Sequence, residues 1–315
     1  MTISRFLKPI VARLSQGRLS ILIYHRVLEK ADEIFPGTVD AERFRWQMEL
    51  VSSYFNVLPL SKAVELMENN NLPQRALCIT FDDGYADNAE VALPILKEFG
   101  LSATFFIAVG FLNGGRMWND TVIETIRTID SRDIDLTDVG LDVYDISSTI
   151  KKQETIESII TSIKHAPQDK RQEFVEIIAE KAADQLPANL MMSSEQVKML
   201  HRSGMEIGGH TVTHPILSTL DSEQAMEEIK QGKVLLESII GTNIKLFAYP
   251  NGKPDIDYLE EHVEIVRRVG FDAAVSTESG VSDRFTDRFQ LRRFTPWDKT
   301  PLKFILRLMK NYYLT

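Results

Sequence analysis

The stretch that most constrains this chain is Ala76-Leu77-Cys78-Ile79-Thr80-Phe81-Asp82-Asp83-Gly84-Tyr85. Mostly apolar, partly β-branched residues lead into two adjacent carboxylates and a glycine. That is the pattern of a buried strand ending in a charged turn. Neighbouring carboxylates repel one another and burial adds a desolvation cost, so a metal ion or an arginine is expected beside them. The pair alone also admits a blander reading, a solvated Asp-Asp-Gly turn. The rest of the chain has to discriminate.

Around this strand the sequence alternates. Ser20–His25 reads as a strand ending at His25. Asp40 caps a helix to Tyr54, and Ser61 caps another to Asn69. Asp87–Phe99 reads as a helix stopped by Gly100, with Pro94 disturbing its regularity. Ala103–Val109 is an apolar strand covered on both faces. From about 115 to 192 the alternation lapses. Helical patterns occupy Asp120–Ile129, Thr155–Ile163 and Gln172–Ala183, with a short strand near Leu141–Val143. A connection this long needs structure of its own, as a helical insertion that either stabilises the fold or walls a cleft. Strand–helix alternation then resumes. Ser194 caps a helix to Arg202 and Met205–Gly208 is a strand. Asp221 and Gln224 form a capping box for the helix ending before Gly241. Strands Ile244–Ala248, Phe271–Ser276 and Phe289–Phe294 follow, with helices Asp257–Val269 and Pro301–Tyr312. Such alternation predicts an α/β fold with a mainly parallel sheet of about seven strands, open or closed as a barrel.

With 315 residues, 43% hydrophobic and 26% charged, the chain is ordinary globular protein. A net charge of −9 without a Lys/Arg run argues against nucleic acid as a partner. The one cysteine, Cys78, lies within the apolar strand and reads as core filler. The first twenty residues lack the apolar core of a signal peptide, and no run of ~18 apolar residues exists to span a membrane. Residues 1–19 read instead as a short basic amphipathic helix, with Ile3, Phe6, Leu7, Ile10, Val11 and Leu14 on one face. It packs on the body of the protein or touches a membrane surface. A cytoplasmic location follows as the expectation, with peripheral contact at the inner membrane face through residues 3–14.

In parallel β/α folds, active sites gather at the C-terminal strand ends. After the strand at 205–208 comes Gly209-His210-Thr211-Val212-Thr213-His214. On one helical turn, His210 and His214 would point the same way, a spacing that suits two nitrogen ligands to one metal. Two histidines and one carboxylate make an open metal site with positions left for water and substrate. One aspartate then binds the metal while the other acts as base on water activated by it, chemistry that suits hydrolysis of an acyl group.

The stretches Thr80-Phe81-Asp82-Asp83-Gly84 and His210-Thr211-Val212-Thr213-His214 resemble the first two motifs of the polysaccharide deacetylase family, the NodB-homology domain of carbohydrate esterase family 4. Ile23–Val27, Ala103–Phe106 and Phe247–Gly252 add support, and the likeness spans about 20–110 and 193–298. It implies a distorted (β/α) barrel over 20–315, with the insertion at 115–192. It implies one divalent metal held by Asp83, His210 and His214: Zn2+ first, Co2+ or Ni2+ as alternatives. Asp82 would be the general base. The substrate would be an N-acetylated sugar of a polysaccharide or a lipid-linked precursor, with the oxyanion held by the metal and a backbone N–H near Asn251.

Two departures matter. The family's Arg-Pro-Pro-Tyr-Gly stretch corresponds here to Ala248-Tyr249-Pro250-Asn251-Gly252, which lacks the arginine that orients the base. Arg293 on the last strand is the replacement candidate. The family's general-acid histidine is missing from Leu291–Asp298, which makes His25 the candidate acid. Tyr249, Pro250 and Asn251 are expected to line the substrate site, and Trp297 to stack on a sugar face. His165, His201 and His262 are expected at the surface. The rival functions are an O-acetyl glycan esterase and a catalytically degenerate carbohydrate-binding protein.

Overall fold

A computed structural model describes residues 4–313. Seven strands run parallel: β1 (Arg18–Tyr24), β2 (Ala76–Phe81), β3 (Thr104–Ile107), β4 (Glu206–Gly209), β5 (Leu246–Ala248), β6 (Ala273–Ser279) and β7 (Leu291–Arg293). Each pairs with the next in chain order. The ring closes where Ile23 N–H donates to the Phe294 carbonyl and Phe294 N–H to that of Ile21. Two short strands break the symmetry: Ser282–Asp283 runs antiparallel to the start of β1, and Asn56–Val57 parallel to the start of β2. The result is the distorted (β/α) barrel that the alternation and the resemblance predict.

The two-residue period of β2 sorts its side chains into two layers. Leu77, Ile79 and Phe81 face the outer layer, where Phe81 stacks between Tyr24 and Phe105 beneath the surrounding helices. Ala76 and Cys78 belong to a second cluster with Phe106, Leu246, Val275 and Leu291. Helix Leu60–Glu68 closes that cluster at the strand beginnings. Cys78 is therefore core filler, and the same alternation carries Thr80 and Asp82 onto the inner face. Gly208 on β4 gives the Phe106 ring its room: a Cβ there would sit 2.4 Å from Phe106 Cδ1.

Several caps differ from expectation. Ser61 does not cap the second helix. Pro59 occupies the cap position, and the Glu206 carboxylate of β4 accepts from the Leu60 and Ser61 N–H groups instead. A distant anion thus satisfies a helix N-terminus, which sequence spacing cannot reveal. Ser193, not Ser194, caps the helix Ser194–Arg202, in a capping box with Gln196. The Asp40 cap and the Asp221/Gln224 capping box stand as expected.

Between β3 and β4 the chain leaves the barrel. Helices Trp118–Thr128, Thr149–Ile163 and Gln168–Ala179 and the hairpin Asp133–Asp135/Val143–Asp145 pack around a core of their own, including Val122, Ile126, Ile156, Ile159 and Ile178. The two ends of this segment are clasped together. Asn113 N–H donates to the Met192 carbonyl, and the Asn113 side chain exchanges hydrogen bonds with Ser194.

At the N-terminus, helix Ser4–Leu14 docks on the barrel. Val11 is fully buried and Leu14 partly so, whereas Ile10 is exposed. Ile3 lies outside the described residues. Among those described, no helix is long and apolar enough to cross a membrane.

Candidate metal and catalytic site

Asp82 follows β2 directly and points into the top of the barrel interior. Arg293, on the inner face of β7 two residues after Leu291, meets it there. The two form a fork, Nη1 to Oδ1 and Nη2 to Oδ2, each 2.7 Å. Arg293 Nε donates to the Ser276 carbonyl, so the guanidinium is fixed from behind. Both residues are almost wholly buried. Burial pushes the Asp82 carboxyl upward, but the facing guanidinium outweighs it and holds the pKa below the usual range. Asp82 is therefore ionised at neutral pH and locked in orientation. Each of its oxygens keeps a further lone pair with which to accept a proton.

Asp83 turns the other way, its backbone in the left-handed region at φ 77°. Its Oδ1 lies 3.4 Å from His210 Nε2 and 3.3 Å from His214 Nε2. One candidate ligand atom from each of the three residues falls within 4.8 Å of the others. His210 Nδ1 lies 2.7 Å from the Ala248 carbonyl, which can only accept, so the ring proton belongs on Nδ1. Nε2 then presents a lone pair toward a carboxylate oxygen. That oxygen is buried and has no hydrogen-bond partner among the described residues. Three potential ligand atoms converging from three sides are the arrangement that a cation site requires. The two histidines respond differently to this setting. His214 is held down to about 4, burial being the largest cause, which keeps its ring neutral as a ligand requires. Burial also disfavours charge on His210, but the Asp83 and Asp82 carboxylates beside it outweigh this and the net direction is upward, the pull that these carboxylates exert on any positive charge.

The spacing of the histidines works for a reason other than the expected one. Residues 210–214 form no helical turn. They make an irregular loop with Thr211 at φ 64° and His214 at φ 54°. Glu228, from helix Ser222–Ile240, accepts from the Val212 and Thr213 N–H groups and from the Thr213 hydroxyl at 2.8–2.9 Å. Thr211 Oγ1 accepts from His214 N–H. The same helix presses on the loop at Gly232, where a Cβ would lie 2.9 Å from the Thr211 carbonyl carbon and oxygen. With Asn251 at φ 57°, four non-glycine residues at this rim hold left-handed backbone, a conformation that tends to cluster at functional sites. Gly232→Ala is expected to lower stability by about 1–3 kcal/mol through overpacking. It should also weaken retention of added Zn2+ in a dialysis series, if the loop that carries His210 and His214 holds an ion, because the displaced atoms belong to that loop.

A cavity of about 240 Å³ opens above these groups. His25 and Asn251 line it, so the structure brings both beside the two aspartates and two histidines. Tyr249 and Pro250 are not available to a substrate. Tyr249 is fully buried with its ring stacked 3.8 Å from that of Tyr258, and Pro250 is buried behind it. The expectation failed because the loop's apolar residues turn into the core and only Asn251 faces out. Trp297, 60% exposed, lies at an adjoining cavity of about 490 Å³ that shares His25 and Asp83 with the first. Arg307 packs over its ring. His262 is not a surface residue either. It is buried, with Nδ1 accepting from Leu259 N–H to cap its helix.

Sequence reasoning missed Glu228, whose helical position looks like any solvated charge, and Asp120 of the insertion. Asp120 is buried with Oδ1 accepting from the Tyr85 hydroxyl at 3.2 Å and Oδ2 unpartnered among the described residues. Burial, the largest cause, raises its pKa to about 7. A carboxyl raised on folding binds more protons folded than unfolded, so stability falls as pH climbs from about 4 through about 7. Asp120→Asn should therefore be more stable than wild type at pH 8. The gain should exceed about 1.4 kcal/mol, the value of one pKa unit, and vanish at pH 4. Urea unfolding at the two pH values checks it.

Fold and site together define a parallel β/α barrel with an Asp/His/His constellation and a second, arginine-locked aspartate at its C-terminal rim. The family profile described as "Polysaccharide deacetylase" matches residues 69–274, well over half of the chain. The chain belongs to the polysaccharide deacetylase family, a family of hydrolases. Its sequence is 21% identical over 277 residues to YxkH of Bacillus subtilis (strain 168), covering 88% of this chain and 71% of that protein. Its fold is similar to the deacetylase PplD of Streptococcus pyogenes, solved with acetate, at TM-score 0.62 and 20% identity over 93% of this chain and 98% of that one. It is also similar to IcaB of Ammonifex degensii, at TM-score 0.61 and 20% identity over 94% and 97% of the two chains.

Proposed function

We infer that the protein is a metal-dependent hydrolase that removes an N-acetyl group from a sugar residue of a glycan. The observation that carries this reading is the unpartnered Asp83 Oδ1 facing two imidazole nitrogens, beside a second aspartate locked by Arg293. Asp83, His210 and His214 would hold the ion, and a two-nitrogen, one-oxygen donor set suits Zn2+ best. When bound, such an ion supplies a Lewis acid that polarises a carbonyl and makes water more acidic. Asp82 takes the proton from the attacking water. Arg293 keeps that carboxylate ionised and aimed. His25, exposed at the rim and lining the same cavity, is placed to hand a proton to the departing amine. Asn251, on the loop after β5 and lining the same cavity, would meet the acetamide there.

The test is acetate release from N-acetylglucosamine oligomers, measured before and after chelation and again after Zn2+ is restored. Release that chelation abolishes and Zn2+ restores supports the reading. Equal release with and without chelator removes the metal from it. Release from acetylated xylan alone would reassign the acyl group to an O-acetyl ester.

A further inference from the structure

The roof of the 240 Å³ cavity comes from the insertion, and it is cationic. Arg171, on helix Gln168–Ala179, and Lys164, which follows helix Thr149–Ile163, both line the space that also holds Asp82, Asp83, His210 and His214. Arg171 is more than nine-tenths buried. Its guanidinium lies 5.0 Å over the Trp118 ring, and Nη1 donates to the Lys164 carbonyl at 3.0 Å. Among the described residues neither Arg171 nor Lys164 forms an ion pair.

A buried guanidinium without a counter-charge is costly to hold, and proteins normally pair it. The nearby acids do not serve. Asp82 is already spoken for by Arg293, and Asp83 faces the histidines. With a divalent ion on Asp83, the lining of the cavity is net positive. With Trp118 beneath the guanidinium and Nη1 committed to the Lys164 carbonyl, the remaining N–H groups are left for a planar or tetrahedral oxyanion, which arginine recognises well. Lys164 supplies a second, more mobile charge alongside.

We propose that the Arg171–Lys164 roof is a subsite for an anionic group, carboxylate or phosphate, carried by the glycan next to the sugar that is deacetylated. The proposal rests on the hydrolase reading of the same cavity and adds the charge of its substrate. The bare alternative is that Arg171 only caps the helix ending at Ile163. That role predicts loss of stability without any change in substrate preference.

The experiment compares three substrates on the metal-loaded protein: tetra-N-acetylchitotetraose, the same oligomer with C6 positions oxidised to carboxylate, and the same oligomer with a reducing-end phosphate. At low salt, kcat/KM for at least one anionic oligomer should exceed that of the neutral one by about tenfold, mainly through KM, and added salt should shrink the gap. Preference for the oxidised oligomer points to an in-chain uronate, and preference for the other to a sugar phosphate. Arg171→Gln and Lys164→Gln should each reduce the anionic-to-neutral ratio several-fold. Lys164→Gln leaves the helix cap in place and so guards against a folding artefact. Acetate release with no anionic preference, or with a ratio unmoved in both variants, overturns the subsite and leaves the deacetylase reading intact. If none of the three releases acetate, the N-deacetylase reading falls, and calorimetric titration of the same oligomers into the wild-type protein decides the subsite separately. Tighter binding of an anionic oligomer supports it, and equal or absent binding ends it.

Discussion

Arg293→Met is expected to lower folding stability by about 3–5 kcal/mol. The reason is asymmetry. In the wild type the Asp82 carboxylate is taken out of water but receives two parallel N–H donors at 2.7 Å. With the arginine gone, an ionised group remains in the barrel interior above Cys78 and Phe106 with its main counter-charge deleted. The prediction has a companion. Asp82→Leu combined with Arg293→Met should recover most of the lost stability, because an apolar pair of similar volume removes the desolvation problem. It should recover no activity. Urea unfolding at constant m-value measures both. Arg293→Lys belongs in the same series and should fall in between, since an ammonium cannot reproduce the two-pronged contact. A loss below about 1 kcal/mol for Arg293→Met would mean that water reaches Asp82 and that the pair does not lock the carboxylate.

The second large effect separates metal from base. Asp82→Asn should cut acetate release by about 10²–10⁴-fold, the range typical of a missing general base, while metal content measured by elemental analysis stays near that of wild type. His214→Ala should lose both metal and activity, because it removes one of the three candidate donors found among the described residues. The two variants thus predict opposite metal readings at similar loss of turnover. Full activity in Asp82→Asn would take the base role away from Asp82. Unchanged metal in His214→Ala would take His214 out of the ligand set.

What the sequence could and could not reveal follows from range. The barrel was legible because strand–helix alternation is a local signal, and so was the capping of helix Ala41–Tyr54 by Asp40, three residues from the N–H it serves. The inward aim of Asp82 follows from counting by twos along β2, and that of Arg293 from counting by twos along β7. Their meeting requires the ring to close, which no local pattern states. The histidine loop shows the converse. The spacing of His210 and His214 suggested a helical turn, but the chain reaches the same convergence through left-handed residues at Thr211 and His214, braced by Glu228 from a helix farther along. Tyr249 misled because motif position was taken for exposure. Its aromatic ring gains more from stacking on Tyr258 than from facing water. Lys164 and Arg171 carried no signal at all, since charges on helices usually point to solvent.

The clasp formed by Asn113, Met192 and Ser194 has a consequence for how such a protein can diversify. It brings the two ends of the insertion together between adjacent parallel strands, so the roof hangs from the barrel like a pendant on a closed ring. Asp82, Asp83, His210, His214 and Arg293 all sit on the ring, whereas Lys164 and Arg171, which line the cavity from above, sit on the pendant. A single uninterrupted exchange of residues 114–191 would leave every barrel strand unaltered. The candidate ligand and base residues and the cavity's cationic roof thereby lie in separable parts of one chain.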